Sequence, residues 1–333
     1  MANLKVGVIG TGWFGEIHCS VIAGVPGMEL VGLADRDEAR LAEVGKQYGV
    51  TSLHADYRDL LADQSIDLVH IVTRWDSHAE IAIAALAAGK HVLLEKPMAP
   101  TVAECQKICD AAKAADTYLM VGHVCRFNPR CIAAKREIDS GGIGRVVSLN
   151  GRRNVPAAWA VGALDKVNPI SDSGIHDTDL MLWFTGARVT SVYTQTVRVN
   201  DYVYPDMFQI MYRFDNGASA IYEGAWLMPE SAPFVIDERM SIIGSKGFVQ
   251  VQDTFPNLGL CNADGFTGPD TTYWPRIGGV TGGALAEEVM YFAGCVTNGI
   301  TPSVITPEQS MAAMETVLAA QQSAESGEIV RLD

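Results

Sequence analysis

Residues 4–15 decide how the first part of the chain folds, and they read Leu4-Lys-Val-Gly-Val-Ile9-Gly10-Thr-Gly12-Trp-Phe-Gly15. The apolar run up to Ile9 predicts a buried strand, and a helical pattern follows the glycines. Glycines at this spacing between a strand and a helix are typical of a dinucleotide-binding turn. In such a turn Gly10 permits the tight bend, Gly12 lets the backbone approach a pyrophosphate, and Gly15 lets helix and strand pack closely. The N–H groups at the start of the helix would bind the phosphates.

An acid at the end of the next strand supports this interpretation. The second strand runs from Met28 to Ala34, and Asp35 follows it. A carboxylate at this point can accept hydrogen bonds from both ribose hydroxyls of an adenosine. Its charge would repel a 2′-phosphate, so the sequence predicts NAD as the cofactor. Arg36 keeps NADP open as an alternative, because an arginine beside the site can pair with that phosphate.

Strands and helices alternate as far as residue 121. Ser77 with Glu80, and Thr101 with Glu104, have the spacing of capping boxes that begin helices. The alternation predicts an α/β fold, with an N-terminal Rossmann domain built on a doubly wound parallel sheet. Beyond the first two strands, we expect strands at 66–72, 91–94 and 118–121, and helices at 37–48, 77–89 and 101–115.

Two further stretches carry residue types that can do chemistry. Glu95-Lys96-Pro97 closes a predicted strand, and Asp172-Ser-Gly-Ile-His176-Asp177-Thr-Asp179 follows in the second half of the chain. If Asp172 caps or begins a helix, Asp172 and His176 lie on one face, and Asp177 is expected to be exposed to solvent. A histidine can remove the hydroxyl proton as hydride leaves a secondary alcohol, and a lysine ammonium can stabilise the developing alkoxide. A carboxylate can hold a neighbouring substrate hydroxyl, so the set predicts a hydride-transfer site.

The second half of the chain has a different pattern. Strands with period-two alternation follow one another from about residue 146, and Asp215-Asn216-Gly217 is a hairpin signal. We expect a C-terminal α+β domain with a large open, mainly antiparallel sheet. The Rossmann domain is placed at 1–122, and a substrate-binding and oligomerisation domain at 123–333. A helix over about 307–325, beginning at the capping box of Thr306 and Gln309, is expected to pack back on the first domain. Phe255 to Gly283 is expected to be a long loop near the active site or a subunit interface.

Composition narrows the function classes. The 333 residues carry a net charge of −14, which disfavours nonspecific binding to nucleic acid or anionic membrane. No apolar run reaches membrane-spanning length and no signal peptide is recognised, so a cytoplasmic location is expected. The seven cysteines include no Cys-x-x-Cys pair, and no His/Cys/Asp cluster has ligand spacing. Reduced thiols and no metal site are therefore expected.

Taken together, the motifs resemble the Gfo/Idh/MocA oxidoreductase family, which includes glucose-fructose oxidoreductase and inositol 2-dehydrogenase. The resemblance covers essentially the whole chain. It implies that Lys96, Asp172 and His176 have the roles described above, and it implies substrate-facing roles for Arg126 and Asn154. Arg74-Trp75 and Asn168-Pro169-Ile170 depart from the family, which usually has Pro-Asn at the first position and often a glycine run at the second. The motifs that carry the resemblance are Gly10-x-Gly12-x-x-Gly15-x-x-His18, Thr73 with His78, and Gly89-Lys-His-Val-x-x-Glu95-Lys96-Pro97.

The predicted site has three groups of residues. The catalytic residues are Lys96, His176 and Asp172. The cofactor-binding residues are Gly10, Gly12, Trp13, Phe14, Gly15, Asp35, Arg36, Thr73, Arg74, His78, Glu95 and Lys96. The substrate-binding residues are Lys96, His123, Arg126, Asn154, Trp159, Asp172 and His176. Structural hydrogen bonding is the alternative role for His78 and His123, and packing is the alternative for Trp159.

These residues predict an NAD-dependent dehydrogenase of a cyclic polyol or sugar, with an inositol-like substrate first. An NADPH-dependent keto-sugar reductase is the second possibility, with Arg36 at the 2′-phosphate. A non-catalytic nucleotide sensor or co-regulator on the same fold is the third, and the presence of Lys96, Asp172 and His176 argues against it. The open sheet predicts sheet-to-sheet packing of a homo-oligomer, and the resemblance implies a homodimer or homotetramer.

Overall fold

The computed structural model describes residues 3–232, 234–252, 258–262 and 265–332. Contacts group the chain into two units, Met1–Phe127 with Thr272–Met311, and Asn128–Thr271 with Ala312–Asp333. The domain boundary at 122/123 and the packing of the C-terminal helix on the first domain stay predictions.

A parallel sheet forms the centre of the first unit. Its strands in the described residues are β1 (Leu4–Ile9), β2 (Met28–Ala34), β3 (Ser52–His54), β4 (Leu68–Ile71), β5 (His91–Glu95) and β6 (Leu119–Gly122). They lie in the order β3-β2-β1-β4-β5-β6, so the direction of winding reverses between β1 and β4. Val8, Val69 and Leu93 in the central strands are buried, as expected where helices cover both faces of a sheet. The predicted doubly wound sheet is confirmed, although the short β3 is not among the predicted strands.

Local capping explains where several helices of this unit begin. The helices that connect the strands are α1 (Trp13–Gly24), α2 (Glu38–Tyr48), α3 (Tyr57–Ala62), α4 (His78–Ala87) and α5 (Val102–Ala114). The capping box at the start of α5 is confirmed, because the Glu104 N–H donates to Thr101 Oγ1 at 3.2 Å. The one predicted at Ser77 is wrong. Its hydroxyl donates instead to Thr73 Oγ1 at 2.9 Å and to the Arg74 carbonyl at 2.8 Å.

The second unit is built around a mixed sheet. Its long strands are β7 (Val146–Pro156), β8 (Val189–Val197), β9 (Met207–Phe214), β10 (Ser219–Met228), β11 (Asp237–Gly244) and β12 (Phe248–Gln252). β7 and β10 run parallel, whereas the other neighbouring strands of this group are antiparallel. The predicted mainly antiparallel sheet is confirmed, and so is the hairpin between β9 and β10. Gly217 in that hairpin has a φ of +83°, which glycine adopts without strain.

The two faces of this sheet differ in burial. This unit also contains the helices α6 (Pro129–Asp139), α7 (Ala157–Ala160), α8 (Pro169–Asp172) and α9 (Gly174–Thr185). Of these, α9 packs on β7 and β10. Tyr212 and Tyr222 are buried on the side of α9, which we call the covered face. Met211 and Ile221, each one residue earlier, are 54% and 46% exposed. Because successive side chains of a strand point to opposite faces, they lie on the other side, which we call the open face.

The stretch predicted as one long loop contains short ribbons in its described part. These are β13 (Leu260–Asn262) with β14 (Gly265–Thr267), and β15 (Arg276–Ile277) with β16 (Val280–Thr281). Residues 255–257 and 263–264 of that prediction lie outside the described residues, and its location near a site or interface stays a prediction.

The last elements are α10 (Gly283–Asn298), α11 (Pro307–Ser326) and β17 (Val330–Arg331). β17 pairs with β8 and completes the sheet order β12-β11-β7-β10-β9-β8-β17. The capping box that begins α11 is confirmed, with the Gln309 N–H 3.3 Å from Thr306 Oγ1. Throughout the described part of the chain, the helices are too short or too polar to cross a membrane.

Candidate active site

The carboxyl ends of the parallel strands bring together most of the predicted cofactor residues. Gly10 follows β1, Asp35 follows β2, and Thr73 lies just beyond β4. Winding reverses between β1 and β4, and this is where open α/β sheets bind ligands. A cavity of about 370 Å³ opens at this point, and the predicted residues that line it are Gly10, Gly12, Asp35, Arg36, Thr73 and Arg74.

The glycines of the turn have different physical roles. Gly10 has a φ of +96°, and a Cβ added there would lie 2.5 Å from the Val72 carbonyl oxygen. At Gly15 a Cβ would lie 1.9 Å from the Gly10 carbonyl oxygen, so only glycine allows α1 to approach β1 this closely. Gly12 differs, because a Cβ there would meet no atom within 4 Å. The open space at Gly12, beside the start of α1, fits the diphosphate of NAD.

Backbone and side-chain donors hold the Asp35 carboxylate at the edge of the cavity. Its Oδ2 accepts from the Thr11 N–H at 2.6 Å and from the Thr11 hydroxyl at 3.0 Å. Its Oδ1 accepts from the Asp37 N–H at 2.9 Å. An ionised carboxylate offers about four lone-pair sites, and three are in use, so Asp35 can still accept a bond from a ribose hydroxyl. The adenosine end of NAD therefore fits these residues.

Some residues at or near the cavity are not predicted as site residues from the sequence pattern. Residues 55–58 line it, and Arg58 pairs with Asp56 at 3.2 Å. They follow the short β3, which the pattern does not predict. Arg40 on α2 braces the glycine turn, because its Nε donates to the Thr11 carbonyl at 3.0 Å. Only the fold brings this arginine next to the turn.

His78 joins the loop after β4 to the loop after β5. The side chain is 1% exposed. Its Nε2 lies 3.0 Å from the Thr73 carbonyl oxygen, and its Nδ1 lies 2.9 Å from the Pro97 carbonyl oxygen. Burial lowers the pKa of His78, while these carbonyl groups and the charge of Glu95 oppose that shift. His78 therefore makes structural hydrogen bonds, which was the alternative role given above. A contact of His78 with the cofactor stays a prediction.

Buried side chains hold Lys96 at the end of β5. Lys96 is half-buried, and its backbone N–H donates to Glu95 Oε2 at 3.1 Å. Glu95 Oε1 lies 3.2 Å from His18 Nε2, and His18 Nδ1 lies 3.0 Å from His70 Nδ1. Burial, and then the neighbouring His18, lowers the pKa of His70 well below its ordinary value, so His70 is neutral at physiological pH. Glu95 is thus placed as a support for Lys96, and its predicted contact with the cofactor stays a prediction.

Glu288 on α10 is a second buried carboxyl group near Glu95. It is fully buried, and among the described residues neither of its carboxyl oxygens has a hydrogen-bond partner. Burial, and then the charge of Glu95, raises the pKa of Glu288 well above its ordinary value. The environment of Glu288 therefore favours its neutral, protonated form. Its position on the apolar face of α10, between Leu285 and Phe292, is the sequence signal that could have found it.

Aromatic side chains surround the start of α1. Trp13 is 65% exposed, and its ring centre lies 5.9 Å from that of Trp274. The Phe14 ring meets Trp274 edge-on at 5.5 Å. Trp274 lies in the stretch predicted as a loop, and the pattern gives it no role. Contacts of Trp13 and Phe14 with the cofactor stay predictions.

Two of the predicted substrate residues of the first unit, His123 and Arg126, are deeply buried. His123 and Arg126 are 1% and 2% exposed. The Nη1 of Arg126 donates to the Val304 carbonyl at 2.6 Å and to Gln309 Oε1 at 2.7 Å. These bonds hold the arginine against the segment before α11, and substrate contacts of both residues stay predictions.

Asp172 and His176 lie on one helical path in the second unit. Asp172 ends α8 and His176 is in the first turn of α9, so Asp172 does not cap the helix of His176. Ser173 between the two helices has φ −83° and ψ −33°, and the backbone stays helical through the junction. The four-residue spacing therefore puts the two half-buried side chains on one face.

The prediction that Asp177 is exposed is wrong. Its side chain is 1% exposed, and its Oδ2 accepts from Arg153 Nε at 2.5 Å. Arg153 also donates to Glu238, on β11, at 3.1 Å. The prediction failed because the helix pattern alone puts a charged residue in solvent. The buried partner of Asp177 is Arg153, which lies on a strand 24 residues earlier and is not visible in that pattern. Arg153 and Glu238 are not among the predicted site residues.

Asn154 and α9 lie on opposite faces of the sheet of the second unit. Asn154 follows Arg153 on β7 and therefore points to the open face, where its Nδ2 donates to Glu223 Oε1 at 3.2 Å. α9 lies on the covered face, so this placement disfavours the predicted role of Asn154 as a substrate ligand, which stays untested. Trp159 is 43% exposed on α7, and its substrate role also stays a prediction.

Each unit carries side chains of the types that hydride transfer coupled to proton transfer uses. One unit offers a dinucleotide cavity and a lysine at the end of the neighbouring strand, and the other offers an aspartate and a histidine on one helical face. In the described ranges, no group of three His, Cys, Asp or Glu side chains has the geometry to hold a metal ion.

Two family models match the chain in succession. The GFO_IDH_MocA model, an oxidoreductase family with an NAD-binding Rossmann fold, matches residues 4–123. The GFO/IDH/MocA C-terminal domain matches residues 131–250.

Named proteins are similar over most of their length. The chain is 29% identical over 339 residues to scyllo-inositol 2-dehydrogenase (NAD(+)) of Bacillus subtilis strain 168, covering 99% of this chain and 97% of that protein. It is 30% identical to inositol 2-dehydrogenase of Rhizobium meliloti strain 1021, covering 80% and 81%. The crystal structure of a probable dehydrogenase from Thermotoga maritima superposes with a TM-score of 0.85 at 26% identity, covering 98% and 99%.

Proposed function

The chain belongs to the Gfo/Idh/MocA oxidoreductase family, and we propose that it is an NAD-dependent dehydrogenase that oxidises one secondary alcohol of a cyclic polyol or sugar. The observation that carries the proposal is the position of Lys96. It follows β5, which pairs with β4, and the loop after β4 lines the dinucleotide cavity with Thr73 and Arg74. The names of the relatives make an inositol the first substrate to test.

Each proposed residue has one task in the reaction. When bound, NAD would accept the hydride that leaves the alcohol carbon. His176 would take the hydroxyl proton, for which the ordinary imidazole pKa of about 6.5 is suited. The Lys96 ammonium would stabilise negative charge on the same oxygen, and Asp172 would accept a hydrogen bond from a neighbouring hydroxyl and so select the carbon. The proposal therefore requires residues of both units to act on one substrate.

The direct test follows the absorbance of reduced nicotinamide. The purified protein is given NAD or NADP with a panel of inositols and aldoses, and NADH or NADPH with the corresponding lactones and keto forms. We expect turnover of an inositol with NAD. Turnover only of keto-sugars with NADPH would replace the proposal by a reductase, and cofactor binding without turnover of any compound would contradict the enzymatic proposal and favour a sensor.

Replacing Asp35 with Ser should change the choice of cofactor. The variant removes the charge that repels a 2′-phosphate and leaves Arg36 in the same cavity. We expect the ratio of NADP to NAD affinity to rise by about tenfold or more, which corresponds to about 1.4 kcal/mol. Binding of each cofactor is measured by calorimetric titration. The matched variant Arg36→Ala should move the ratio the other way, and an unchanged ratio in Asp35→Ser would contradict the role of Asp35.

We further propose that the open face packs against the open face of a second copy in a homodimer or homotetramer. Met211 and Ile221 are opposite each other there, and Ile243 and Phe248, also opposite each other, are 51% and 68% exposed. Apolar side chains grouped on one face indicate a protein interface. The same face carries both signs of charge, with Arg152 3.0 Å from Asp237, so two copies can be complementary.

Ile221→Glu should dissociate this oligomer. The variant places a charge in the centre of the open face, and in a two-fold contact the same change occurs on both copies. Sedimentation velocity at micromolar concentration should show monomers. Ile300→Glu is the matched control, because Ile300 is 59% exposed in the other unit, and it should sediment as the unchanged protein. A wild-type protein that sediments only as a monomer would contradict the proposal.

A further inference from the structure

Three charged side chains are buried beside the helix of His176. Arg153 on β7, Asp177 on α9 and Glu238 on β11 are 4%, 1% and 3% exposed. Arg153 Nε donates to Asp177 Oδ2 at 2.5 Å, and Arg153 Nη1 donates to Glu238 Oε2 at 3.1 Å. We call these residues the ion triad. We propose that the ion triad positions His176 for proton transfer, and this inference rests on the proposed function.

Stability of the fold alone does not explain the ion triad. Burying charges costs hydration, and replacing a buried ion pair with apolar residues is often neutral or stabilising. The ion triad instead fixes the orientation of its side chains. A guanidinium is planar and presents its donors in a rigid fork, so it fixes the orientation of both carboxylates relative to β7. The first turn of α9 is thereby tied to β7 and, through Arg153, to β11.

Further polar bonds tie the same turn to the other central strands. The Nε1 of Trp226, on β10, donates to Ser173 Oγ at 3.1 Å. The hydroxyls of Thr178 and of Tyr212, on β9, are 2.8 Å apart. The backbone on both sides of His176 is therefore held against four strands, while the imidazole itself stays half-buried. A displacement of about 1 Å in such a group can cost about 100-fold in rate, so these bonds bear directly on catalysis.

The ion triad also places negative charge on the residue that follows His176 in the chain. One guanidinium and two ionised carboxylates carry a net charge of 1 − 2 = −1, and Asp177 is the chain neighbour of His176. The titratable groups around Asp177 are Arg153 on β7, Glu238 on β11, Tyr222 on β10, Tyr212 on β9, and Asp172, His176 and Asp179 on its own helical path. Burial raises the pKa of both tyrosines, so they stay neutral in an assay range around pH 7. Removing the Asp177 charge should therefore favour neutral imidazole.

Two conservative variants separate geometry from charge. Arg153→Lys keeps the positive charge but lacks the forked donors of the guanidinium. We expect kcat to fall by about 10- to 100-fold, while the acid limb of the pH profile of kcat/KM stays at the same pH. Asp177→Asn keeps the shape but removes the charge. Here we expect a lower kcat and an acid limb of kcat/KM displaced to lower pH by about half a unit or more. NAD affinity should change little in both variants. The melting temperature should fall in Asp177→Asn, because removing one charge of a buried set leaves the others uncompensated. Arg188→Lys, which alters the exposed pair with Asp215 in the same unit, is the matched control.

The outcomes distinguish this inference from the proposed function. If the unchanged protein turns over no polyol or sugar, the proposed function is wrong. If it does and His176→Asn turns over substrate at the wild-type rate, the role of His176 and this inference are wrong. If His176→Asn is inactive while Arg153→Lys keeps kcat within about twofold, only the positioning role is wrong. A loss of NAD affinity in parallel with the loss of kcat would show a merely structural role and overturn the inference. NMR titration of the His176 imidazole gives a readout without turnover, and a midpoint that does not fall in Asp177→Asn would also overturn it. Glu238→Gln replaces Asp177→Asn if that variant does not fold.

Discussion

Lys96→Met should lower kcat by about a thousandfold or more while NAD affinity stays within about twofold. Methionine keeps the apolar stem but removes the ammonium group. The backbone N–H of residue 96 can still donate to Glu95 Oε2, so the loop after β5 should keep its place. A charge that acts on the alcohol oxygen mainly in the transition state contributes to kcat more than to binding. Steady-state turnover of the best polyol and calorimetric titration with NAD measure the two quantities.

Companion variants show whether Lys96 and His176 act in the same step. Lys107→Met removes an exposed lysine on α5 and should leave kcat unchanged. His176→Asn should lose about as much as Lys96→Met, and the double variant should lose little more than the worse single variant, because residues that act as a unit are not additive. A Lys96→Met protein that keeps more than about a tenth of kcat would contradict the role of the lysine.

Gly15→Ala should weaken NAD binding by about a hundredfold or more and lower the melting temperature by several degrees. The added Cβ would lie 1.9 Å from the Gly10 carbonyl oxygen. This neighbour is backbone, so α1 must move away from β1, and the movement deforms the turn that is proposed to hold the diphosphate. Calorimetric titration and thermal unfolding followed by circular dichroism test both parts of the expectation.

Gly12→Ala is the matched variant in the same turn. A Cβ at Gly12 would meet no atom within 4 Å, so the melting temperature should equal that of the unchanged protein. The methyl group would project into the space proposed for the diphosphate, so NAD affinity should still fall. Wild-type affinity in Gly12→Ala, or wild-type stability in Gly15→Ala, would contradict this account of the turn.

Features that depend on neighbours in the chain are predictable from the sequence. The glycine turn, the hairpin at Asp215-Asn216-Gly217 and the capping boxes at Thr101 and Thr306 all form where the pattern puts them. Each involves residues within a few positions of one another, and local backbone preferences determine it. The failure at Ser77 is also local. Its hydroxyl has a competing acceptor in Thr73 at 2.9 Å, and spacing alone does not show which bond forms.

Partners that are distant in sequence are not predictable in this way. Arg153 and Asn154 are adjacent polar residues on β7, and the period-two pattern does not show which of them faces α9. The structure decides it, because Arg153 bonds Asp177 on the covered face and Asn154 bonds Glu223 on the open face. The same limit hides Glu238 from the sequence pattern, since it lies 85 residues from the arginine it binds.

The sequence by itself determined the doubly wound sheet and the open, mainly antiparallel sheet, and its motifs resemble those of an NAD-binding oxidoreductase family. These follow from periodicity, glycine spacing and short motifs, which are local properties. Only the tertiary structure decided that His18 contacts both His70 and Glu95, that Glu288 is a buried carboxyl group with a raised pKa, and that Asp177 lies in an ion triad. The physical reason is that burial and charge pairing depend on which elements pack together, and strand order sets that packing across long stretches of chain.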